Sequence, residues 1–265
     1  MNRIDSRFKA LKDEGRSALI PFFTAGDPSL ESTVPVMHAL VAAGADIIEL
    51  GVPFSDPMAD GPVIQQSSER ALQRKAGLAW VLACVRGFRE RDSNTPVVLM
   101  GYLNPVEMFG LERFADAALA AGVDGVLLVD CPPEEAEAID TVLTARGVHR
   151  IALAAPTTTA DRLALMGQQA RGYLYYVSFA GVTGANSLDV SGIRERVEGM
   201  MRCLPLPVAV GFGIKDAASA AAVAEYADGV VIGSALVQHL AESTSLDDAV
   251  ARATAFLTPI RAALA

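Results

Sequence analysis

Glu49 and Asp60 are the residues of this 265-residue chain whose types and placement could run proton chemistry. They stand at the two ends of one stretch, Glu49-Leu50-Gly51-Val52-Pro53-Phe54-Ser55-Asp56-Pro57-Met58-Ala59-Asp60, with Ile47-Ile48 before it and Gly61-Pro62 after it. Two carboxyl groups in different surroundings have their proton affinities pushed apart, so one can act as an acid while the other stays ionised. Each also has an ordinary reading. Glu49 could be half of a structural ion pair, and Asp60 could be a turn former in Ala-Asp-Gly-Pro. Their pairing across one loop favours a reaction site.

Other chemistries have weaker claims. His38, His149 and His239 fall on a helix, in a turn and in a late helix, away from the ends of strands, which argues against a metal site or histidine catalysis. No GxSxG elbow, Walker loop or GxGxxG occurs, and Lys215 lies beyond a glycine turn rather than at a strand end. Cys84, Cys131 and Cys203 are odd in number and share no metal-ligand spacing. They read as reduced small hydrophobes, which fits the cytoplasm.

The elements that must position the acids alternate along the whole chain. Apolar, β-rich runs at residues 19–24, 46–50, 96–100, 125–129, 150–154, 174–177, 207–210 and 229–232 predict eight strands. Helical spacing fills the gaps at 32–43, 78–91, 106–121, 134–145, 160–168, 191–201, 217–224 and 247–264. A period of about 30 residues with strands and helices in alternation predicts an α/β fold, a (β/α)8 barrel of the TIM type occupying residues 1–265 as one domain. An extra N-terminal helix at 4–14, with Ile4, Phe8 and Leu11 on one face, is expected to plug the barrel bottom. The related turns Ala43-Gly44-Ala45-Asp46, Ala121-Gly122-Val123-Asp124 and Tyr226-Ala227-Asp228-Gly229 lead into strands two, four and eight.

Barrels of this kind carry their chemistry where strands end and βα loops begin. Gly184, Gly211, Gly213 and Gly233 follow strands six, seven and eight, and Ser234 is placed to start a short extra helix. Any one glycine could merely permit a tight turn. Together they leave room for backbone N–H groups to approach a phosphate, with a helix N-terminus to favour its charge. The small-residue loop 178–187 suits a lid, or simply a mobile connection. Phe22, Met100, Tyr102, Leu127, Tyr175 and Phe212 are expected to give the mouth an apolar rim suited to a flat ring.

Acidic residues outnumber basic ones, 31 against 22, for a formal charge of -9. That balance argues against a nucleic-acid or anionic-membrane surface, so an anionic substrate would need backbone amides for its positive potential. The N-terminus lacks the apolar core of a signal peptide, and charged residues or glycine interrupt every later apolar stretch.

The run from Leu50 to Pro62 resembles a signature of the tryptophan synthase alpha subunit family, which usually has Leu where Met58 stands. Further matches are Pro21-Phe22-Phe23-Thr24-Ala25-Gly26-Asp27-Pro28, Met100-Gly101-Tyr102-Leu103-Asn104-Pro105, Ala155-Pro156-Thr157-Thr158, Gly181-Val182-Thr183-Gly184 and Gly211-Phe212-Gly213-Ile214. Departures are Cys131 in Asp-Cys-Pro-Pro and Phe179-Ala180, where some relatives carry an Arg. The resemblance covers the chain from end to end. It implies retro-aldol cleavage of indole-3-glycerol phosphate to indole and glyceraldehyde 3-phosphate, a carbon-carbon lyase reaction of tryptophan biosynthesis. Glu49 is then expected to cycle the proton and Asp60 to hold the indole N–H. Phe22, Tyr102, Tyr175, Thr183, Gly184, Phe212, Gly213, Gly233 and Ser234 are expected around the substrate and its phosphate. No cofactor or metal is implied in this chain. PLP is expected in a partner beta subunit, two alpha and two beta chains forming a heterotetramer, with Asp56, Pro57, Tyr102, Asn104, Cys131 and Pro132 facing that partner. Two other readings stay open here: a different phosphosugar barrel enzyme, and a non-catalytic subunit that only delivers ligand.

Overall fold

The alternation of apolar strands and amphipathic helices closes on itself. The computed structural model describes residues 2–177, 190–211 and 213–264. Its first half runs α1 (Arg3–Asp13), β1 (Ala18–Thr24), α2 (Thr33–Ala42), β2 (Ile48–Gly51), α3 (Pro62–Gln73), α4 (Leu78–Arg89), β3 (Val97–Gly101), α5 (Leu103–Phe109), α6 (Leu111–Ala121) and β4 (Gly125–Leu128). The second half runs from a 3-10 turn at Pro133–Glu135 through α7 (Glu137–Ala145), β5 (His149–Ala154), α8 (Ala160–Gln169) and β6 (Leu174–Val177) to α9 (Val190–Cys203). β7 (Val208–Gly211), α10 (Ala217–Ala224), β8 (Gly229–Ile232), α11 (Ser234–Ala241) and α12 (Leu246–Ala263) complete it. The strands form a closed parallel barrel in sequence order, with β1 paired to both β2 and β8. All eight expected strands are present, with ends within two residues of those read from the sequence.

Helices cover the outside, so β1, β2, β4, β7 and β8 are buried along their whole length. Such strands read as continuous apolar runs, and a charged residue inside one needs a reason. The barrel interior is filled by Ile20, Val98, Leu127, Ile151, Tyr173, Tyr175, Ala209 and Val231. Ile4, Phe8 and Leu11 of α1 join this cluster as the expected plug, each fully burying a side chain worth roughly 1.5–3 kcal/mol. The Phe8 ring lies 5.6 Å from that of Tyr173.

The repeated aspartates of the helix-to-strand turns act alike. Asp46 accepts the N–H of Leu19, Asp124 that of Val97 and Asp228 that of Val208, so each ties its turn to the preceding strand. Arg7 and Arg261 also pair with Asp46, and Arg3 and Arg89 with Asp124. These anchors hold the bottom of the barrel and leave the other end to the loops.

Two elements depart from expectation. Residues 106–121 are two helices, α5 and α6, because Gly110 takes φ 90° between them, a conformation that L side chains rarely adopt. Helix α3 was not foreseen, since its buried face is Ser67, Ser68 and Ala71 rather than an apolar stripe. Its start is nonetheless written in Gly61-Pro62, with proline at the first helical position. Among the described residues no helix is long and apolar enough to cross a membrane, and Cys84, Cys131 and Cys203 are free thiols, buried, half-buried and exposed in turn.

Candidate active site

Glu49 sits mid-strand in β2 between Phe22 of β1 and Val98 of β3, and it is completely buried. The Tyr173 hydroxyl donates to its Oε1 at 2.5 Å. Among the described residues its Oε2, also buried, has no hydrogen-bond partner. Burial raises its pKa from 4.5 to about 7, and the Tyr173 bond only partly offsets this. No ion pair explains Glu49, so the structural alternative for this residue loses its support among the described residues. A carboxyl that titrates near neutrality can both give and take a proton.

Asp60 lies just before α3, whose N-terminus favours a negative charge. Its loop is a tight turn: Asp60 N–H donates to the Pro57 carbonyl, and the Gln65 amide reaches back to the carbonyl of Asp60 at 2.9 Å. The Tyr102 hydroxyl donates to Asp60 Oδ2 at 3.0 Å. Burial dominates here too, lifting its pKa from 3.8 to about 6 against the pull of that hydrogen bond. Burial at this position therefore favours the neutral acid. The Phe54 ring packs at a tilt against Tyr102, centroids 5.0 Å apart, and Ile64 and Tyr102 share the walls of the same cleft.

Tyr175 feels the charge of both acids. It is buried in the barrel interior, and its hydroxyl is held well above its ordinary pKa first by burial and then by the negative charges of Glu49 and Asp60. Gly211 makes room for it, because a Cβ there would come 2.1 Å from the Tyr175 hydroxyl. The cleft beside Asp60 is lined by Phe22, Thr24, Met100, Tyr102 and Val129 among others. Leu127 and Tyr175, expected on the rim, are part of the buried floor instead, since their strand positions point inward. Tyr102 is only 3% exposed and so does not face outward toward a partner.

The chain matches the family described as tryptophan synthase alpha chain over residues 8–264. It is 65% identical over 265 residues to the tryptophan synthase alpha chain of Xanthomonas axonopodis pv. citri (strain 306), covering 100% of this chain and 99% of that relative. The alpha chain of Xylella fastidiosa (strain M12) is 63% identical over 264 residues, covering 100% and 98%. Among solved structures, tryptophan synthase subunit alpha from Legionella pneumophila str. Paris superposes with a TM-score of 0.94 at 46% identity, covering 100% of this chain and 98% of that one. The chain belongs to the tryptophan synthase alpha chain family.

The other expected residues of this alpha chain fall into two groups. Gly213 has φ 79°, and Gly233 precedes Ser234, which begins α11 after β8 as expected. A Cβ at Gly233 would meet the Phe22 ring at 3.2 Å, so the loops after β1 and β8 approach closely. Thr183, Gly184 and Phe212, with the 178–187 loop, lie outside the described residues. His38 packs on Phe88, His149 bonds Asp5 and His239 packs on Phe256, none of them beside the two acids. Tyr173 was missed. It is two residues before Tyr175, so strand alternation places both hydroxyls on one face, and an inward Glu calls for such a donor.

Proposed function

We propose that Glu49 and Asp60 carry out the retro-aldol cleavage of indole-3-glycerol phosphate to indole and glyceraldehyde 3-phosphate, the alpha-chain reaction of tryptophan biosynthesis. The observation that carries the assignment is the completely buried Glu49, whose Oε2 has no hydrogen-bond partner among the described residues, with a second carboxyl, Asp60, held by Tyr102 in the loop after the same strand; burial raises the first to about 7 and the second to about 6. Glu49, protonated, gives its proton to indole C3. The ring then bears positive charge shared with its N–H, and the Asp60 carboxylate stabilises that charge by accepting the N–H. Glu49, now a carboxylate, takes the proton of the neighbouring side-chain hydroxyl as the C–C bond breaks. The bonding electrons return to the ring, the aldehyde forms and Glu49 ends protonated as it began.

Gly213, Gly233 and the α11 N-terminus at Ser234, with Thr183 and Gly184, are assigned to the phosphate, and Phe22, Tyr102, Tyr175 and Phe212 to the ring end. Anchoring the phosphate brings the reacting carbon to Glu49. No cofactor is assigned to this chain, because two carboxyls balance the protons. We assign PLP to the partner beta chain and the assembly to two chains of each kind, in the cytoplasm. Asp56 and Asn104 are exposed at the same rim, flanked by Met58 and Met108 at 79% and 80% exposure, and suit that contact. Purified chain mixed with indole-3-glycerol phosphate should release indole, and Glu49→Gln should not; wild-type turnover retained to even a tenth in that variant sinks the assignment.

A further inference from the structure

The hydroxyl of Tyr102 is committed on both sides to the loop that carries Asp60. It accepts the Ala59 N–H at 3.0 Å and faces Asp60 Oδ2 at 3.0 Å. A phenol has one proton, and the Ala59 amide can only donate, so that proton goes to the carboxylate. Among the described residues Tyr102 is the side chain that bonds this carboxylate. The ring is held too, buried and packed against Phe54. Its backbone leads directly into α5, whose first N–H, Leu103, donates to Asp130 Oδ1 at 2.8 Å. Asp130 belongs to the loop after β4, so three neighbouring loops are linked in series: Asp130, then Leu103 and Tyr102, then Ala59 and Asp60.

The far end of the Asp60 loop is fixed separately. Thr24 and Ser67 share a buried hydroxyl hydrogen bond at 2.6 Å, and Arg70 grips Asp27 with two bonds of 2.8 and 2.6 Å. Both contacts fasten α3 to the end of β1. The turn between α3 and β2 therefore has its aspartate oriented by Tyr102 alone among these contacts. We propose that Tyr102 is a positioning residue for Asp60, aiming its carboxylate and holding it in the ionised state, and that Asp130 sets Tyr102 through the start of α5. This rests on the role given to Asp60 above.

The chemistry follows from donor direction. An O–H aimed at a carboxylate favours the anion, which opposes the upward shift that burial causes. The titratable groups acting here are Tyr102 itself, Tyr175 from β6, which senses both Asp60 and Glu49, and Asp130, whose charge acts on Tyr102. A weak or misdirected donor leaves Asp60 partly protonated near neutrality and unable to accept the indole N–H.

The test is indole release by the full-length chain across pH, for wild type, Tyr102→Phe and Asp60→Asn. Phenylalanine keeps the ring and its contact with Phe54, so a space-filling role would survive it. The expected result for Tyr102→Phe is a KM within about twofold, kcat lowered roughly tenfold, and an acidic limb moved up by about one pH unit, the amount that a charge-assisted hydrogen bond supports. Asp60→Asn should lack that limb. Incorporating 3-fluorotyrosine at position 102, a stronger donor of the same shape, should move the limb to lower pH without disturbing the fold. Identical limbs in all three tyrosine-site forms overturn the inference, as does a limb that persists in Asp60→Asn. Should wild type release no indole, the functional reading fails. The Asp60 carboxyl carbon resonance then still decides the positioning: its midpoint should rise in Tyr102→Phe, and an unchanged midpoint overturns it.

Discussion

Replacing Glu49 by glutamine should stabilise the folded chain above neutral pH while lowering turnover by orders of magnitude. A freely solvated glutamate titrates at 4.5 and the folded Glu49 at about 7. Between those values the unfolded chain has released this proton while the folded chain keeps it. Stability therefore falls as pH rises through the window, and the loss is complete above the folded value. Each pKa unit is worth ~1.36 kcal/mol, so the full penalty is about 3 kcal/mol, of which about 2.5 kcal/mol develops between about pH 5 and about pH 8.

Glutamine keeps the shape and an oxygen for the Tyr173 hydroxyl, and its amide adds an offset that does not vary with pH. Asp60, whose pKa is also raised, contributes a slope of the same sign to both proteins and cancels in their difference. Urea denaturation of wild type and Glu49→Gln at the two pH values measures that difference directly. It should change by about 2–3 kcal/mol in favour of the variant at the higher pH. A difference flat with pH would refute the claim that this carboxyl enters the fold protonated. Cleavage by the same variant should drop by roughly 10²–10⁴-fold, the usual worth of a general acid–base group.

The pH dependence of kcat/KM should be bell-shaped, with an acidic limb near 6 from ionised Asp60 and an alkaline limb near 7 from protonated Glu49; a profile flat through that interval contradicts both roles. Tyr173→Phe removes the donor that favours the Glu49 anion, so the alkaline limb should move up by about one unit, and an unmoved limb would show that the bond does not tune Glu49. Gly211→Ala places a methyl 2.1 Å from the Tyr175 hydroxyl and should cost at least about tenfold in turnover by displacing that ring. Adding Tyr175→Phe should recover part of the loss, and strictly additive losses would remove the steric explanation.

The barrel was legible because five of its strands are buried along their whole length and the other three nearly so, and their apolar runs stand out against amphipathic helices. The plug was legible for a similar reason: Ile4, Phe8 and Leu11 share a face that only another apolar surface can cover. Helix α3 was hidden because it packs through hydroxyls, Ser67 against Thr24, instead of through an apolar stripe. The break at Gly110 was hidden because the periodicity on either side of it continues almost in phase. Hydrophobic pattern reports which face is covered, not whether the backbone stays helical between two covered faces.

The acids themselves were legible, and what tunes them was not. An inward Glu in an all-apolar strand is conspicuous in one dimension, because burying a charge there without a partner costs several kcal/mol. Its donor, Tyr173, is 124 residues away, and the donor of Asp60, Tyr102, is 42 residues away. Neither distance has a sequence signature. Closure of the barrel makes the connection: Glu49 projects into an interior that Tyr175 of β6 and Tyr173, the residue just before that strand, also enter, so one short segment supplies both the donor of the first acid and the hydroxyl that senses the pair. Moving β6 by one residue in register would turn both tyrosines outward and leave Glu49 without its hydrogen bond. The parallel pairing of Leu153 with Tyr175 and of Tyr175 with Ala209 excludes that slip, and so the register of a strand far from Glu49 sets how readily it holds its proton.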